Sequence, residues 1–213
     1  MEKTVPPEPG TVYNSTMRSQ HPDSHGDDAT SADTASPPPP LDLRHFPAAL
    51  PGPDADLASV MREVTWDERM RARRTASFGV PYNYAGQQYA AAPMPAPIAA
   101  IAGLCGTHAG HPFNNCLANL YETGQNTMGF HQDSYDGLTP GSSIAIVSLG
   151  AARRLVFRSL DRDHHHELTL EHGSLLLMTA LTQRGWSHAV PRDDTAGRRI
   201  SLTFRSFASA PAG

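Results

Sequence analysis

The feature that most constrains the fold is a series of short strand-like segments in the second half of the chain. Gly, Pro, Asp or His-rich turns separate most of these short segments from their neighbours. The eight segments are CLANLYE, TMGFHQD, SIAIVSL, RRLVFRSL, HELTLEH, SLLLMTA, WSHAVP and RRISLTFRSF. Strands at this spacing are typical of a two-sheet sandwich or jelly roll rather than of alternating β-α units.

The part of the chain before these strands contains two predicted helices. DADLASVMREVTW places Leu57, Val60, Met61 and Val64 at helical spacing, and PAPIAAIAGLCGTHA, from Pro95, forms a second, apolar helix. Between them, MRARRTASFGVPYNYAG predicts strand and turn. Helices first and strands afterwards predict a mainly β (α+β) protein with flanking N-terminal helices.

The composition divides the chain into three segments. Residues 1–42 are rich in Pro, Ser, Asp, Thr and Gly, and we expect them to form a disordered acidic tail because they have few apolar side chains to bury. Residues 43–207 are predicted to fold, and residues 208–213 to form a flexible C-terminal tail. Beyond residue 42 the chain has 15 arginines, no lysine and 14 acidic residues. This near-neutral balance gives no support to strong nonspecific nucleic-acid binding, although it leaves a local arginine patch open.

The sequence also bears on the cellular compartment. No apolar run approaches the ~20 residues that a membrane helix needs, and MEKTVPPEPG has no hydrophobic segment of the signal-peptide kind. Cys105 and Cys116 lie in apolar surroundings without a disulfide or metal-ligand pattern, so we expect reduced core thiols. We therefore expect a cytoplasmic protein without membrane attachment, and we favour a monomer.

A candidate metal site begins in the strand TMGFHQD. The pattern His-x-Asp occurs three times, twice in the predicted tail and once at His131 and Asp133, so the pattern alone carries little weight. In a strand, however, residues i and i+2 face the same way, and these two side chains therefore point together as adjacent ligands must. Of the histidines downstream, His164–His166 and His172 are expected in turns, whereas His188 lies on the strand WSHAVP.

Two histidines and one carboxylate on one face leave three octahedral positions open, which is the arrangement of non-haem Fe(II) oxygenases. Zinc accepts the same ligands. The spacing also leaves open a buried histidine that is satisfied by a neighbouring carboxylate.

The last strand favours a site for an anion. In RRISLTFR, Arg199, Ser201, Thr203 and Arg205 share one face, and burying two arginines is costly unless an anion lies there. A dicarboxylate suits this face because arginine binds carboxylates in bidentate fashion. The alternative is a solvated sheet face, which fits Arg205 poorly because this strand is otherwise apolar.

Together these segments resemble the AlkB family of Fe(II)- and 2-oxoglutarate-dependent dioxygenases over roughly residues 74–207. The resemblance rests on FNNCLANLYETGQNTMGFHQD, IAIVSLGAARRLVF, LEHGSLLLMTALTQRGWSHAVP and RRISLTFR, in this order. It implies a double-stranded β-helix. It also implies that the iron ligands are His131, Asp133 and His188. The implied 2-oxoglutarate ligands are Asn119, Tyr121, Arg199 and Arg205. Ser201 and Thr203 share their face and are further candidates for the cosubstrate pocket.

The family activity implied by the resemblance is the oxidation of a substrate C–H bond with Fe(II), 2-oxoglutarate and dioxygen. On an N-methyl group the hydroxylated product releases formaldehyde, so the net reaction is demethylation. The leading expectation is repair of N-alkylated bases in DNA or RNA. In such relatives the base is flipped into the pocket, and the substrate lid precedes Asn-x-Tyr. Here it would include Arg73, Arg74, Phe78, Tyr82 and Tyr84.

One departure from the family pattern bears on the substrate. Many relatives have a second acidic residue two positions after the iron-binding aspartate, where this chain has Tyr135. A phenol is bulky and neutral, so specificity for a particular methylated base stays open. Arg153 and Arg154 are weaker phosphate candidates that we expect in a solvated hairpin. The alternatives are a small-molecule hydroxylase or demethylase and, from another class, a non-catalytic zinc-binding module.

Overall fold

The computed structural model describes residues 11–14, 37–84, 87–134 and 137–208, and for residues 11–14, 82–84 and 87 the backbone only. The helices in these ranges are α1 (Pro53–Glu63), α2 (Ala96–Ala109) and α3 (Ala180–Gly185). The strands are β1 (Thr11–Asn14), β2 (Asp42–Phe46), β3 (Arg74–Gly79), β4 (Tyr82–Tyr84), β5 (Gln87–Tyr89), β6 (Asn115–Tyr121), β7 (Met128–His131), β8 (Ile144–Gly150), β9 (Arg153–Ser159), β10 (His165–Leu170), β11 (Ser174–Met178), β12 (Trp186–Val190) and β13 (Arg199–Arg205).

The strands form two facing antiparallel sheets. The larger sheet has the order β1-β2-β11-β8-β13-β6-β3, the smaller has the order β10-β9-β12-β7, and β4 pairs with β5 in a separate hairpin. All eight strands predicted from the second half of the chain are present, as β6 to β13. The predicted fold, a mainly β double-stranded β-helix with flanking helices, is confirmed.

The larger sheet is buried on both faces because it lies between the helices and the smaller sheet. Along β13, Ile200, Leu202 and Phe204 contact the helices in an outer core. The intervening residues of β13 face the space between the sheets, where Phe157 and Trp186 belong to an inner core. The period of two in the sequence therefore separates a structural face from a polar interior face.

The two predicted helices cover the outer face of the larger sheet. α1 begins at Pro53, a residue suited to a first helical position, and buries Val60. α2 ends at Gly110, whose φ of 79° is the left-handed conformation that glycine adopts without strain. Cys105 of α2 and Cys116 of β6 are both buried and unpaired, as predicted. Burial raises the pKa of Cys105 to about 12.

The fold extends beyond the predicted domain boundaries. Thr11–Asn14 pairs with β2 although it lies in the segment 1–42 that was expected to be disordered. Leu41 is buried, and Pro39 O accepts a hydrogen bond of 3.1 Å from Trp186 Nε1. The pairing with β2 holds Thr11–Asn14, and the buried Leu41 and the hydrogen bond to Pro39 hold the end of the segment, so these parts of it are not a disordered tail; residues 1–10 and 15–36 lie outside the described residues. At the other end, Ala208 N donates to Gly137 O over 2.9 Å, and 209–213 are not described.

Two local assignments also differ from the sequence prediction. The predicted strand SLLLMTA ends at Met178, and the unpredicted helix α3 begins at Ala180. His165 and His166 begin β10 instead of lying in the turn before it. Across the described ranges, none of the helices has the length and apolar character needed to cross a membrane.

Candidate metal and cosubstrate site

One pocket lies between the two sheets, and residues of both sheets line it. All nine residues predicted for the metal and the cosubstrate are brought together there. The lining residues are Leu117, Asn119, Tyr121, Met128, His131, Asp133, Ile146, Leu155, His188, Val190, Arg199, Ser201, Thr203 and Arg205.

The three predicted metal ligands meet at the end of the smaller sheet. β7 and β12 are antiparallel with His131 directly opposite His188, and the two ring centroids are 4.3 Å apart. Asp133 follows β7 by two residues, and its Oδ2 lies 3.8 Å from His188 Nε2. Strand pairing therefore gathers ligands that are far apart in the sequence.

The Asp133 carboxylate is buried and held in place by two contacts. Its Oδ1 accepts a hydrogen bond of 2.5 Å from Arg205 Nη2, and its backbone N–H donates to Gln183 Oε1 over 3.1 Å. Burial would raise the pKa of this carboxyl, but the charges of Arg205 and the two histidines lower it to about 2. Asp133 is therefore an anion at neutral pH, as a metal ligand must be.

Both histidine rings line the pocket. His131 Nδ1 lies 2.9 Å from Gly129 O, and because a carbonyl oxygen only accepts, Nδ1 carries the proton. Such a hydrogen bond orients the ring and makes Nε2 the nitrogen that could bind a metal. Burial, against the opposing charge of Asp133, lowers the pKa of His188 to about 4.

The donor set fits Fe(II) in its chemistry, although the side chains are not already in a closed coordination geometry. Two donors in adjacent octahedral positions at metal-ligand bond lengths lie about 3 Å apart, which is closer than the 3.8 Å between Asp133 Oδ2 and His188 Nε2. Within the ranges that the structure describes, no three His, Cys, Asp or Glu side chains form a ready metal site. Asp133 Oδ2 is nevertheless buried without a hydrogen-bond partner and faces the histidines.

The predicted cosubstrate residues lie on two adjacent strands of the larger sheet. The register of β13 and β6 places Arg199 opposite Tyr121 and Ser201 opposite Asn119. Arg199 Nε donates to Ser148 Oγ over 2.8 Å, whereas Arg199 Nη1 and the Tyr121 hydroxyl are buried without hydrogen-bond partners. Unsatisfied buried donors are costly, and a carboxylate supplies the acceptors that they lack.

Asn119 is oriented by Arg73, a residue expected in the substrate lid rather than at the cosubstrate site. Arg73 is buried, and its Nε donates a hydrogen bond of 2.7 Å to Asn119 Oδ1. This contact fixes the amide oxygen towards Arg73, so the amide nitrogen is the group left to donate to a ligand.

The predicted substrate residues are not brought to this pocket where they are described. Arg74 forms ion pairs of 3.0 Å with Glu68 and Glu122, and Phe78 packs against the outer core on the helical side of the larger sheet. Arg74 and Phe78 therefore line no part of the pocket, because both lie on the face of β3 that points towards the helices. Tyr135 and the side chains of Tyr82 and Tyr84 lie outside the described residues.

Two contributors to the site were missed in the sequence. Gln183 of α3 holds the backbone of Asp133, and no pattern in TALTQRG indicates this. Arg153 was expected in a solvated hairpin but is only 1% exposed. The sequence did indicate its burial, because Arg153 shares a strand face with the inward-facing Leu155 and Phe157.

Comparison with known proteins agrees with this geometry. The sequence model of the 2OG-Fe(II) oxygenase superfamily matches residues 53–205. The Bos taurus protein "DNA oxidative demethylase ALKBH2" is 34% identical over 161 residues, which cover 71% of this chain and 58% of that relative. The Rattus norvegicus protein "Alpha-ketoglutarate-dependent dioxygenase alkB homolog 3" is 28% identical over 191 residues, which cover 79% of this chain and 65% of that relative.

The chain thus spans less than two thirds of the length of these two relatives. Among solved structures, OsALKBH1 superposes with a TM-score of 0.60 at 17% identity, covering 81% of this chain and 100% of the other, which shows the fold. The superfamily match extends over most of the described domain, and the relatives are AlkB homologues. The chain belongs to the 2OG-Fe(II) oxygenase superfamily and, within it, to the AlkB family.

Proposed function

We propose that this protein is an Fe(II)- and 2-oxoglutarate-dependent dioxygenase that oxidatively demethylates N-alkylated bases in DNA or RNA. The observation that carries the proposal is that His131, Asp133 and His188 share one buried pocket with Arg199 and Arg205. A metal-binding triad next to two buried guanidinium groups suits a metal that is chelated by an anionic cosubstrate.

His131, Asp133 and His188 would hold the iron. The low pKa of Asp133 and of His188 leaves a carboxylate and a neutral imidazole at pH 7, so no proton has to leave either group before the metal binds. When bound, the iron with 2-oxoglutarate and dioxygen supplies the oxidation of a substrate C–H bond and yields succinate and carbon dioxide. Arg205, through its contact with Asp133, positions that carboxylate.

Asn119 and Arg205 would hold the carboxylate of 2-oxoglutarate next to the metal, and Tyr121 and Arg199 the distal one. The distal end is supported by the two unsatisfied buried donors, Arg199 Nη1 and the Tyr121 hydroxyl. Ser201 and Thr203 line the same pocket and offer hydroxyls, but with shorter reach. The protein's part is to orient the two carboxylates and to keep water out of the pocket.

The names of the relatives support alkylated nucleic acid as the substrate, since one is called a DNA oxidative demethylase. Tyr135 in place of a second acidic residue favours a second candidate, demethylation or hydroxylation of a nucleoside or other small molecule. A zinc-binding module without catalysis is opposed by the buried Arg199 and Arg205, because a structural zinc site needs no dicarboxylate pocket. We propose a cytoplasmic monomer, and the unpaired Cys105 and Cys116 fit a reducing compartment.

The experiment that tests this proposal measures succinate and formaldehyde with Fe(II), 2-oxoglutarate and a substrate panel. The panel contains single-stranded and double-stranded DNA and RNA oligonucleotides with 1-methyladenine or 3-methylcytosine, unmethylated oligonucleotides of the same sequence, and the free methylated nucleosides. We expect formaldehyde to equal the substrate-dependent succinate with at least one methylated oligonucleotide. Turnover with a nucleoside but with no oligonucleotide would favour the second candidate, and bound zinc without 2-oxoglutarate consumption would contradict both.

A further inference from the structure

A third arginine is buried behind the pocket, although it does not line it. Arg153 is the first residue of β9. It lies on the same face of the strand as the inward-facing Leu155 and Phe157, and it is 1% exposed. Its Nη2 donates hydrogen bonds to Asn126 O over 3.0 Å and to Pro191 O over 2.6 Å. These two carbonyls belong to the segment after β6 and to the end of β12, so the guanidinium joins the strand of Tyr121 to the strand of His188.

Arg153 and Arg199 flank the same aromatic ring. The guanidinium carbon of Arg153 lies 5.6 Å from the ring centroid of Tyr121, and that of Arg199 lies 5.2 Å from it. Both distances are within the range of cation–π contacts, which are stronger in a desolvated site. Tyr121 is therefore in contact with two guanidinium groups, of which only Arg199 lines the pocket.

The charges around Tyr121 are not balanced by protein carboxylates. Arg153, Arg199 and Arg205 are all fully buried, and Asp133 pairs with Arg205. Within the described residues, neither Arg153 nor Arg199 has a carboxylate at ion-pair distance, and Arg153 Nε, Arg153 Nη1 and Arg199 Nη1 have no hydrogen-bond partner. Asp193, in the loop after β12, acts on Arg153 only through longer-range attraction.

Two buried cations without a carboxylate partner are unfavourable in the ligand-free protein and favourable once an anion binds between the sheets. Arg199 and Tyr121 offer the direct contacts to such an anion. Arg153 does not line the pocket, so it acts through the position of the Tyr121 ring and through its charge.

We propose that Arg153 is a positioning residue for the distal carboxylate of 2-oxoglutarate: it fixes Tyr121 against Arg199 and adds a positive charge that makes the pocket select a dicarboxylic over a monocarboxylic 2-oxo acid. This inference rests on the proposed function. It assigns to Arg153 a role in cosubstrate selectivity, and none in contacting the metal or the substrate.

The test compares two ligands of equal chain length on protein loaded with Ni²⁺, which replaces iron and prevents turnover. One is 2-oxoglutarate, and the other is 2-oxopentanoate, in which a methyl group replaces the distal carboxylate. Calorimetric titration gives both dissociation constants for the parent, Arg153→Met, Arg153→Lys and Arg154→Met. Arg154 is a matched control, since it is the next residue of β9 and its exposed side chain pairs with Glu167.

We expect Arg153→Met to weaken 2-oxoglutarate binding roughly tenfold or more, as for the loss of one charge interaction in a protein interior, and to change 2-oxopentanoate binding less than about twofold. Arg153→Lys, which keeps the charge, should retain most of the selectivity, and Arg154→Met all of it. Thermal unfolding of each variant shows that the binding protein is folded. If Arg153→Met does not fold, the two dissociation constants of Arg153→Lys carry the test.

Equal weakening of both ligands in Arg153→Met or Arg153→Lys would show a purely structural residue and overturn the inference. Unchanged selectivity in Arg153→Met would overturn it as well. Neither result touches the proposed function, which fails separately if the parent protein loaded with Ni²⁺ does not bind 2-oxoglutarate.

Discussion

Arg205 Nη2 donates a hydrogen bond of 2.5 Å to Asp133 Oδ1, and both side chains are almost fully buried. The contact joins the larger sheet, which carries the proposed cosubstrate residues, to the loop that carries a proposed metal ligand. The position of the carboxylate therefore depends on the arginine that would hold the cosubstrate.

Loss of Arg205 should destabilise the metal-free protein. Arg205→Met leaves the Asp133 anion buried without its cation, and removal of one partner of a buried pair typically costs about 3–5 kcal/mol. Urea unfolding in the presence of a chelator measures the loss. Arg192→Met, which breaks an exposed pair with Asp194, should cost less than about 1 kcal/mol. A loss for Arg205→Met as small as that of the control would contradict the account of this pair.

Gly150, the last residue of β8, should tolerate no side chain. Gly150 has a φ of 91°, and a Cβ there would lie 2.5 Å from Arg198 O, next to the first residue of β13. We expect Gly150→Ala to lower the free energy of unfolding by at least about 1 kcal/mol. Gly103→Ala, in α2 with open space around it, should be neutral or stabilising. Equal effects of the two changes in chemical denaturation would refute this reading.

The orientation of Asn119 should depend on Arg73. Arg73→Met removes the hydrogen bond to Asn119 Oδ1, so the amide is free to turn its oxygen towards a carboxylate ligand, which it would repel. We expect the KM for 2-oxoglutarate to rise severalfold with a smaller change in kcat, measured as succinate formation at saturating substrate. The exposed Arg71 provides the control variant Arg71→Met. An unchanged KM in Arg73→Met would remove Arg73 from the positioning of Asn119.

His45 should make the protein less stable in mild acid. Burial lowers the pKa of this β2 side chain below its usual 6.5, despite Glu171 Oε2 at 3.5 Å from Nε2. Below pH 6.5 the unfolded chain therefore binds more protons at this position than the native protein, and stability falls as the pH drops from 6.5 towards the lowered value. His45→Gln should flatten the decline in unfolding free energy between pH 7 and 5, and the exposed His165→Gln should not. A steeper decline in His45→Gln would reverse the assigned sign.

The interior face of the last strand was predictable because strand geometry has a simple period. Arg199 and Arg205 alternate with apolar residues, and the register with β6 follows once both strands are recognised. His188 was selected because it lies on a strand, and the structure pairs it with His131. These predictions needed only local patterns and the rule that side chains alternate.

The missed parts depend on contacts that no local pattern encodes. Gln183 reaches Asp133 from a six-residue helix that periodicity cannot reveal. The strand Thr11–Asn14 is formed only by pairing with β2, in a segment whose composition resembles a tail. Arg153 was expected to be solvated because it is charged, but its position on the inward face of β9 buries it.

The most direct test of the central claim is the formation of succinate from 2-oxoglutarate by the purified protein with Fe(II). We expect turnover by the parent, at least at the uncoupled background rate without substrate, and its loss in both His131→Ala and Asp133→Ala. His165→Ala, which removes an exposed histidine that does not line the pocket, should keep the parent rate. Retained iron-dependent succinate formation in both site variants would contradict the assignment of His131 and Asp133 as the metal ligands.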